Sequence, residues 1–336
     1  MWWIGTLLLI AILFFLLLII GSAKIPFSAV FDILTGKEVE KEYWIPIVLQ
    51  TRLPMALAAI ACGGTLSISG LMMQTAFANP LAGPSVMGVS SGASLGVAVL
   101  MLGSYSGFIG IVDLDTWISL IGALTGGIVV IAILISFSSM VKNGVMLLVV
   151  GIMISYLCSS LISLLNYFSP AEGIRSYFVW GLGSYTGLRL ESACWLLAIS
   201  VLISIGSLYF IKPLNAMLAG DRYTESIGYS IRSTRIGILL TAGLLVAVPT
   251  AFCGPIGFIG LVVPHIARIT LKTSNHLKLV PASFLYGAAV SLFCAFLGVL
   301  PSDKFGILPI NVITPLIGVP FILYILLNRK KLLYFR

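Results

Sequence analysis

Runs without a single Asp, Glu, Lys or Arg dominate this chain. Met1–Ala23 is one, and Leu53–Val112 is a longer one. A membrane-crossing helix needs about 20 apolar residues, because the hydrocarbon core is about 30 Å thick. As one helix, Leu53–Val112 would be about 90 Å long at 1.5 Å per residue, so it holds two. The break falls at Asn79-Pro80-Leu81-Ala82-Gly83-Pro84. Further uncharged windows are Thr116–Val141, Asn143–Ala171, Ser192–Ile211, Ile236–Ala267, Leu279–Ser302 and Phe305–Asn328. Pro249, Gly254-Pro255 and Pro264 interrupt the window from Ile236 to Ala267, which reads as one full span and one shorter helix. The shorter piece reaches only about 20 Å.

The pattern therefore predicts an all-α, polytopic membrane protein. One transmembrane domain covers residues 1–336, with ten helices over 3–22, 53–76, 85–103, 117–138, 145–168, 191–211, 235–252, 256–268, 279–300 and 307–328. A polar insert lies at 212–234. A β-barrel does not fit, because the apolar runs are continuous and far longer than about ten residues.

Composition agrees: 59% of residues are hydrophobic and 9% charged, with a mean hydropathy of +1.13. Ordinary soluble chains are about a quarter charged, so a soluble enzyme, a disordered chain and a disulfide scaffold are all excluded. With ten spans both termini share one side. Arg329, Lys330, Lys331 and Arg336 at the end, with Lys142, Lys212, Arg222, Arg232, Arg235, Arg268, Lys272 and Lys278, assign that side to the cytoplasm. The net charge of +8 is thereby topology, and no nucleic-acid partner is needed to explain it. The first apolar run has no preceding basic residue, so it reads as a retained helix rather than a cleaved signal.

Candidate chemistry is sparse. The five cysteines sit in or near spans with no C-x-x-C pattern and read as small packing residues. His265 and His276 have no acidic or thiol partner nearby in sequence, so neither a metal site nor a catalytic residue is expected. No phosphate-binding G-x-x-x-x-G-K-[ST] loop occurs.

Three segments are odd for a plain bundle. Around Asn79-Pro80 the backbone must break, and Gly88, Gly92 and Gly96 then repeat on one face, for close packing or for lining a pathway. From Cys253 to Arg268, a helix starting inside the membrane aims its N-terminal amides inward. The insert Leu218-Ala219-Gly220-Asp221-Arg222-Tyr223-Thr224-Glu225-Ser226-Ile227-Gly228 alternates charge with apolar residues. It reads as two short amphipathic helices broken near Gly228, a docking surface for a cytoplasmic partner.

These blocks resemble the FecCD-type permeases of ABC importers for iron-siderophore, heme and cobalamin, the family that includes BtuC-like proteins. The match runs through Arg52-Leu53-Pro54, Ser69-Gly70 and Gln74; Asn79-Pro80-Leu81-Ala82 with Gly88-Val89-Ser90-Ser91-Gly92; and Leu218, Gly220-Asp221 and Gly228. The most specific block is Gly254-Pro255-Ile256-Gly257-Phe258-Ile259-Gly260-Leu261-Val262-Val263-Pro264-His265. Leu308-Pro309-Ile310 and Thr314 through Gly318-Val319-Pro320 extend it.

The resemblance implies a homodimer in the bacterial cytoplasmic membrane, with an apolar pathway at the dimer interface and an inverted repeat relating spans 2–5 to spans 7–10. It implies two copies of a separate ATPase carrying ATP-Mg, an extracytoplasmic binding protein, and no cofactor bound by this chain itself. Leu218, Gly220, Asp221, Arg222, Tyr223, Glu225, Ile227 and Gly228 would form the coupling insert. Asn79, Pro80, Leu81, Asn143 and Gly144 would sit at the cytoplasmic gate, with Gly88 and Gly92 on the pathway. Gly254, Pro255, Gly257, Gly260, Pro264 and His265 belong to the broken helix. Arg52 would pair with an acid of the binding protein, and Lys304 would compensate for Met55, where relatives carry a second arginine. Thr224 replaces a common alanine on what reads as an exposed face. The competing reading is an ion-coupled secondary transporter, which commonly places carboxylates in its spans; the charge-free windows here hold no Asp or Glu. A membrane enzyme would need convergent carboxylates, a Ser/His pair or metal ligands.

Overall fold

The computed structural model describes residues 2–85, 87–107, 116–138, 144–302 and 306–327. Among them there are helices and no strands. Thirteen helical stretches follow in order. They are α1 Trp2–Ile19, α2 Phe27–Leu34, α3 Trp44–Ala76, α4 Val89–Tyr105, α5 Thr116–Ser138, α6 Gly144–Phe168 and α7 Ala171–Gly181. Then come α8 Leu190–Met217, α9 Asp221–Ser226, α10 Ile231–Cys253, α11 Ile259–Leu271, α12 His276–Val299 and α13 Ile310–Leu327. Seven of the described helices are long and apolar enough to cross a membrane, and three shorter apolar ones are α4, α11 and the stretch within α13.

The core is organised around α3. In its most apolar window 89% of residues are buried, against 22% in α1 and in α8. Alanine, glycine and serine dominate its sequence, so α12, α10, α8 and α11 approach it closely from several sides. A Cβ on Gly63 would come 2.2 Å from the Gly287 carbonyl of α12, and one on Gly70 would meet the Gly260 carbonyl of α11 at 1.7 Å. At both glycines a side chain would enter only if backbone shifted. The first turns of α3 are widened, with Ile47–Arg52 in π-helical form. Pro54, which has no amide hydrogen to donate, follows one residue later.

Several expectations shift. Span 3 begins at Val89 instead of residue 85, so Ser85 belongs to the preceding loop. The short helix runs Ile259–Leu271, three residues later than its proline and glycine pattern predicts. Amphipathic α2 and α7 were not foreseen. The insert breaks at Gly220 as well as at Gly228: Ile211–Met217 continues α8, α9 follows Gly220 at φ +101°, and Gly228 at φ +93° closes it. A positive φ is cheap only for glycine, which explains both positions.

Candidate functional site

The loop between α10 and α11 is the pivot of the site. Gly254 ends α10 at φ +75°, and an added Cβ there would lie 2.4 Å from the Trp180 carbonyl. Phe258 opens α11 at φ +68°, an uncommon conformation for a residue with a side chain. Asn311 of α13 fixes the loop: its Oδ1 accepts from the Gly257 amide at 3.0 Å, and its Nδ2 donates to the Pro255 carbonyl at 2.5 Å. Gly257 has no atom within 4 Å of its Cβ position, which leaves this side of the loop open.

What it opens onto is a cavity of about 430 Å³. Ser90, Ser91 and Ser94 of α4, Ser159 of α6, and Ser85 form one wall; Pro255–Phe258 and Asn311 form another. Near it, Tyr177 of α7 donates to the Ser94 carbonyl at 3.4 Å. Burial pushes its phenol up to about 12, so it remains a donor at physiological pH. The cavity thus carries five serine side chains on a lining that is otherwise largely apolar. The serines escaped the sequence reading because Ser90-Ser91 counted only as part of a motif. Their i, i+4 and i, i+3 relations with Ser94 were the signal available.

The small face of α4 packs. A Cβ on Gly92 would lie 2.7 Å from the Gly126 carbonyl, and one on Gly96 1.9 Å from the Gly122 carbonyl, both on α5. Gly88 at φ +78° faces Gly151 of α6. Gly88 and Gly92 are buried, and close backbone contact requires glycine at both.

Below the cavity, α11 is tied to the end of α3. Arg268 Nη1 donates to Gln74 Oε1 at 2.5 Å, and Gln74 Nε2 donates to the Leu261 carbonyl at 3.2 Å. His265, without a partner in sequence, meets the Pro80 carbonyl at 3.0 Å. Asn79 accepts from the Leu81 amide at 2.9 Å and shapes the turn, leaving Leu81 exposed. Gly260 and Pro264 are buried in α11. Asn143 lies outside the described residues, and Gly144 opens α6.

Arg52 is the largest correction. Its side chain is buried and donates to the carbonyls of Leu18 and Ile19 at 2.7 and 2.9 Å, and to that of Ala23. It satisfies the orphan carbonyls at the end of α1, so it is not presented to a partner. Lys304 lies outside the described residues.

On the insert, Arg222, Tyr223, Glu225, Ile227 and Gly228 are exposed, and Leu218 is half-buried. Asp221 pairs with Arg235 at 2.9 Å. Thr224 is buried, against the expectation of an exposed face, and its hydroxyl donates to the Gly220 carbonyl at 2.9 Å. Among the described residues no group of three or more His, Cys, Asp or Glu could hold a metal ion.

Similarity to known proteins follows these features along the chain. Residues 8–328 match the model of the FecCD transport family. Curated relatives include the vitamin B12 import system permease proteins BtuC of Citrobacter koseri and of Escherichia coli O9:H4. Each is 32% identical over 285 residues, covering 84% of either chain. A solved ABC transporter assigned to the metal-chelate type, in an inward-facing conformation, superposes with a TM-score of 0.82 at 28% identity, covering 97% of this chain and 98% of that one. PsaBC from Streptococcus pneumoniae in complex with Fab shares the fold at a TM-score of 0.55 and 15% identity, covering 89% of this chain and 95% of that one. With the broken helix, the Asn79-Pro80 turn and the short α9 all falling inside the matched region, this multi-pass membrane chain belongs to the FecCD transport family.

Proposed function

We propose that the chain is the permease subunit of a bacterial ABC importer that carries a bulky metal chelate across the cytoplasmic membrane. The observation that carries this is the hydroxyl-lined cavity of about 430 Å³ beside the broken helix, in a chain 32% identical to vitamin B12 import permeases. The permease itself performs no covalent chemistry. Two copies would enclose the pathway, with both termini in the cytoplasm. A separate ATPase binding ATP-Mg would dock on α9, where Tyr223 and Ile227 offer apolar contacts and Arg222 and Glu225 polar ones. A binding protein would deliver the chelate from outside. Motion of the insert would bias two access states by the few kcal/mol that shift a two-state equilibrium. Arg268–Gln74 and His265–Pro80 would hold the Asn79-Pro80 turn to α11 as these states exchange.

An ion-coupled secondary transporter fits less well. Among the described residues the long apolar helices carry one carboxylate, Glu191, in the exposed first turn of α8. The test is gentle purification of the tagged chain with mass spectrometry of stoichiometric companions. An ATPase should co-purify and be lost on Arg222→Glu with Glu225→Arg. A chain that comes out alone, yet transports under an ion gradient, would sink the importer reading.

A further inference from the structure

A second hollow is lined by other helices. It measures about 270 Å³ and shares no residue with the cavity beside the broken helix. Trp3 of α1, Val201, Ile205 and Leu208 of α8, and Pro281 and Phe284 of α12 form its walls. The one hydroxyl in the lining, that of Ser204, donates to the Ser200 carbonyl at 2.7 Å. Nothing in the groove therefore calls for a polar ligand. Trp3, Val201, Ile205 and Leu208 are all exposed. In a membrane chain, exposed apolar side chains meet acyl chains or another helix, which are equally apolar.

The charges beyond the groove decide between them. Along α8, Lys212 follows Leu208 by four residues and Ile205 by seven. Along α12, Lys278 precedes Pro281 by three residues and Leu285 by seven. These spacings put each lysine on the groove face of its own helix, about one turn past the lining. The His276 amide donates to Asn215 Oδ1 at 2.8 Å, which pins the end of α8 to the start of α12. Both lysines thus stand at the same end of the groove. Both are exposed, and among the described residues no acid pairs with either. Another apolar helix would suit the walls and leave the two ammonium groups unmatched.

We infer that this groove binds an anionic phospholipid, with an acyl chain along Val201–Leu208 and the headgroup phosphate at Lys212 and Lys278. Basic side chains between membrane helices at one surface recognise such headgroups. The groove follows α8 for about 10 Å, at 1.5 Å per residue, so it takes the part of the tail nearest the headgroup. A lipid held there bridges α1, α8 and α12 on the outside of α3. The assignment needs only that the chain is a multi-pass membrane protein, and it stands apart from the importer reading.

The test is native mass spectrometry of the full chain in detergent carrying equal amounts of dioleoyl phosphatidylglycerol and dioleoyl phosphatidylcholine. Wild type should retain phosphatidylglycerol in preference, and glycerol phosphate, which has no tails, should not displace it. Lys212→Gln with Lys278→Gln should weaken phosphatidylglycerol binding about twenty-fivefold, about fivefold for each lysine. Lys24→Gln with Lys37→Gln, exposed and beyond the far end of α1, should leave it unchanged. Val201→Trp fills the groove from an exposed position and should also expel the lipid with both lysines intact. Equal retention of the two lipids, or unchanged binding in the Lys212, Lys278 variant, would overturn the assignment. Displacement by glycerol phosphate would reduce the site to a surface anion site and overturn the groove. A Val201→Trp chain that keeps its phosphatidylglycerol but changes oligomeric state would make the groove a subunit interface instead.

Discussion

Arg268 donates to Gln74 across 194 positions of sequence, at 2.5 Å, and both residues are buried. The bond fastens a short helix that begins at the cavity to the end of the most buried long helix. Gln74 also accounts for the Leu261 carbonyl on that short helix. Removing it leaves a buried guanidinium with one partner fewer.

Gln74→Leu should therefore destabilise the fold by about 2 kcal/mol, the range for hydrogen bonds to charged groups. Thermal unfolding in detergent, followed by tryptophan fluorescence, should show a lower midpoint. An unchanged midpoint would mean that α11 is held by packing alone.

Arg52→Ala should cost about 2–4 kcal/mol, because a charged donor serving three carbonyls is lost at once. Arg52→Lys should restore little, since an ammonium cannot reproduce the guanidinium fork. The measurement is the yield of monodisperse protein and its melting midpoint. Normal folding with impaired capture of an extracytoplasmic partner would instead make Arg52 a docking residue.

Two glycine variants separate contact from conformational need. A Cβ on Gly70 would overlap the Gly260 carbonyl, whereas Gly257 has free space. Gly70→Ala should cost about 3 kcal/mol through overpacking. Gly257→Ala should leave stability within about 0.5 kcal/mol, as for an uncrowded position. Comparing the two melting curves decides it; equal curves would mean that α3 and α11 do not approach as closely as described.

On α9, neighbouring positions should behave oppositely. Tyr223 and Ile227 are 52% and 48% exposed, while Thr224 is fully buried. Tyr223→Ala with Ile227→Ala should keep the melting midpoint and reduce ATPase co-purification. Thr224→Ala should lower stability by about 1 kcal/mol, since it removes both packing and the bond to the Gly220 carbonyl. If the exposed pair changes stability instead, α9 is a structural element and the partner docks elsewhere.

Much of the architecture was legible beforehand. The apolar runs that became α1, α5, α6, α10 and α12 stand out by length, and Gly254-Pro255 marks the break that ends α10. Amphipathic α2 and α7 were missed because each is only about two or three turns long and carries charges among its neighbours. The insert showed its composition but not its folding: nothing local says that Thr224 turns inward while Tyr223 turns out.

The sequence by itself determined that the chain is a many-helix membrane protein and roughly where its helices start and stop. Crossing about 30 Å of hydrocarbon is a demand each segment meets alone, through its own run of apolar residues. Only the tertiary structure decided which way each helix faces. In lipid, the outward and inward sides of a helix are both apolar, so the pattern carries no direction. That is why Gly92 could be read as lining or as packing, why Arg52 could be read as exposed when it caps α1, and why serines from two helices and a loop could not be placed around one cavity.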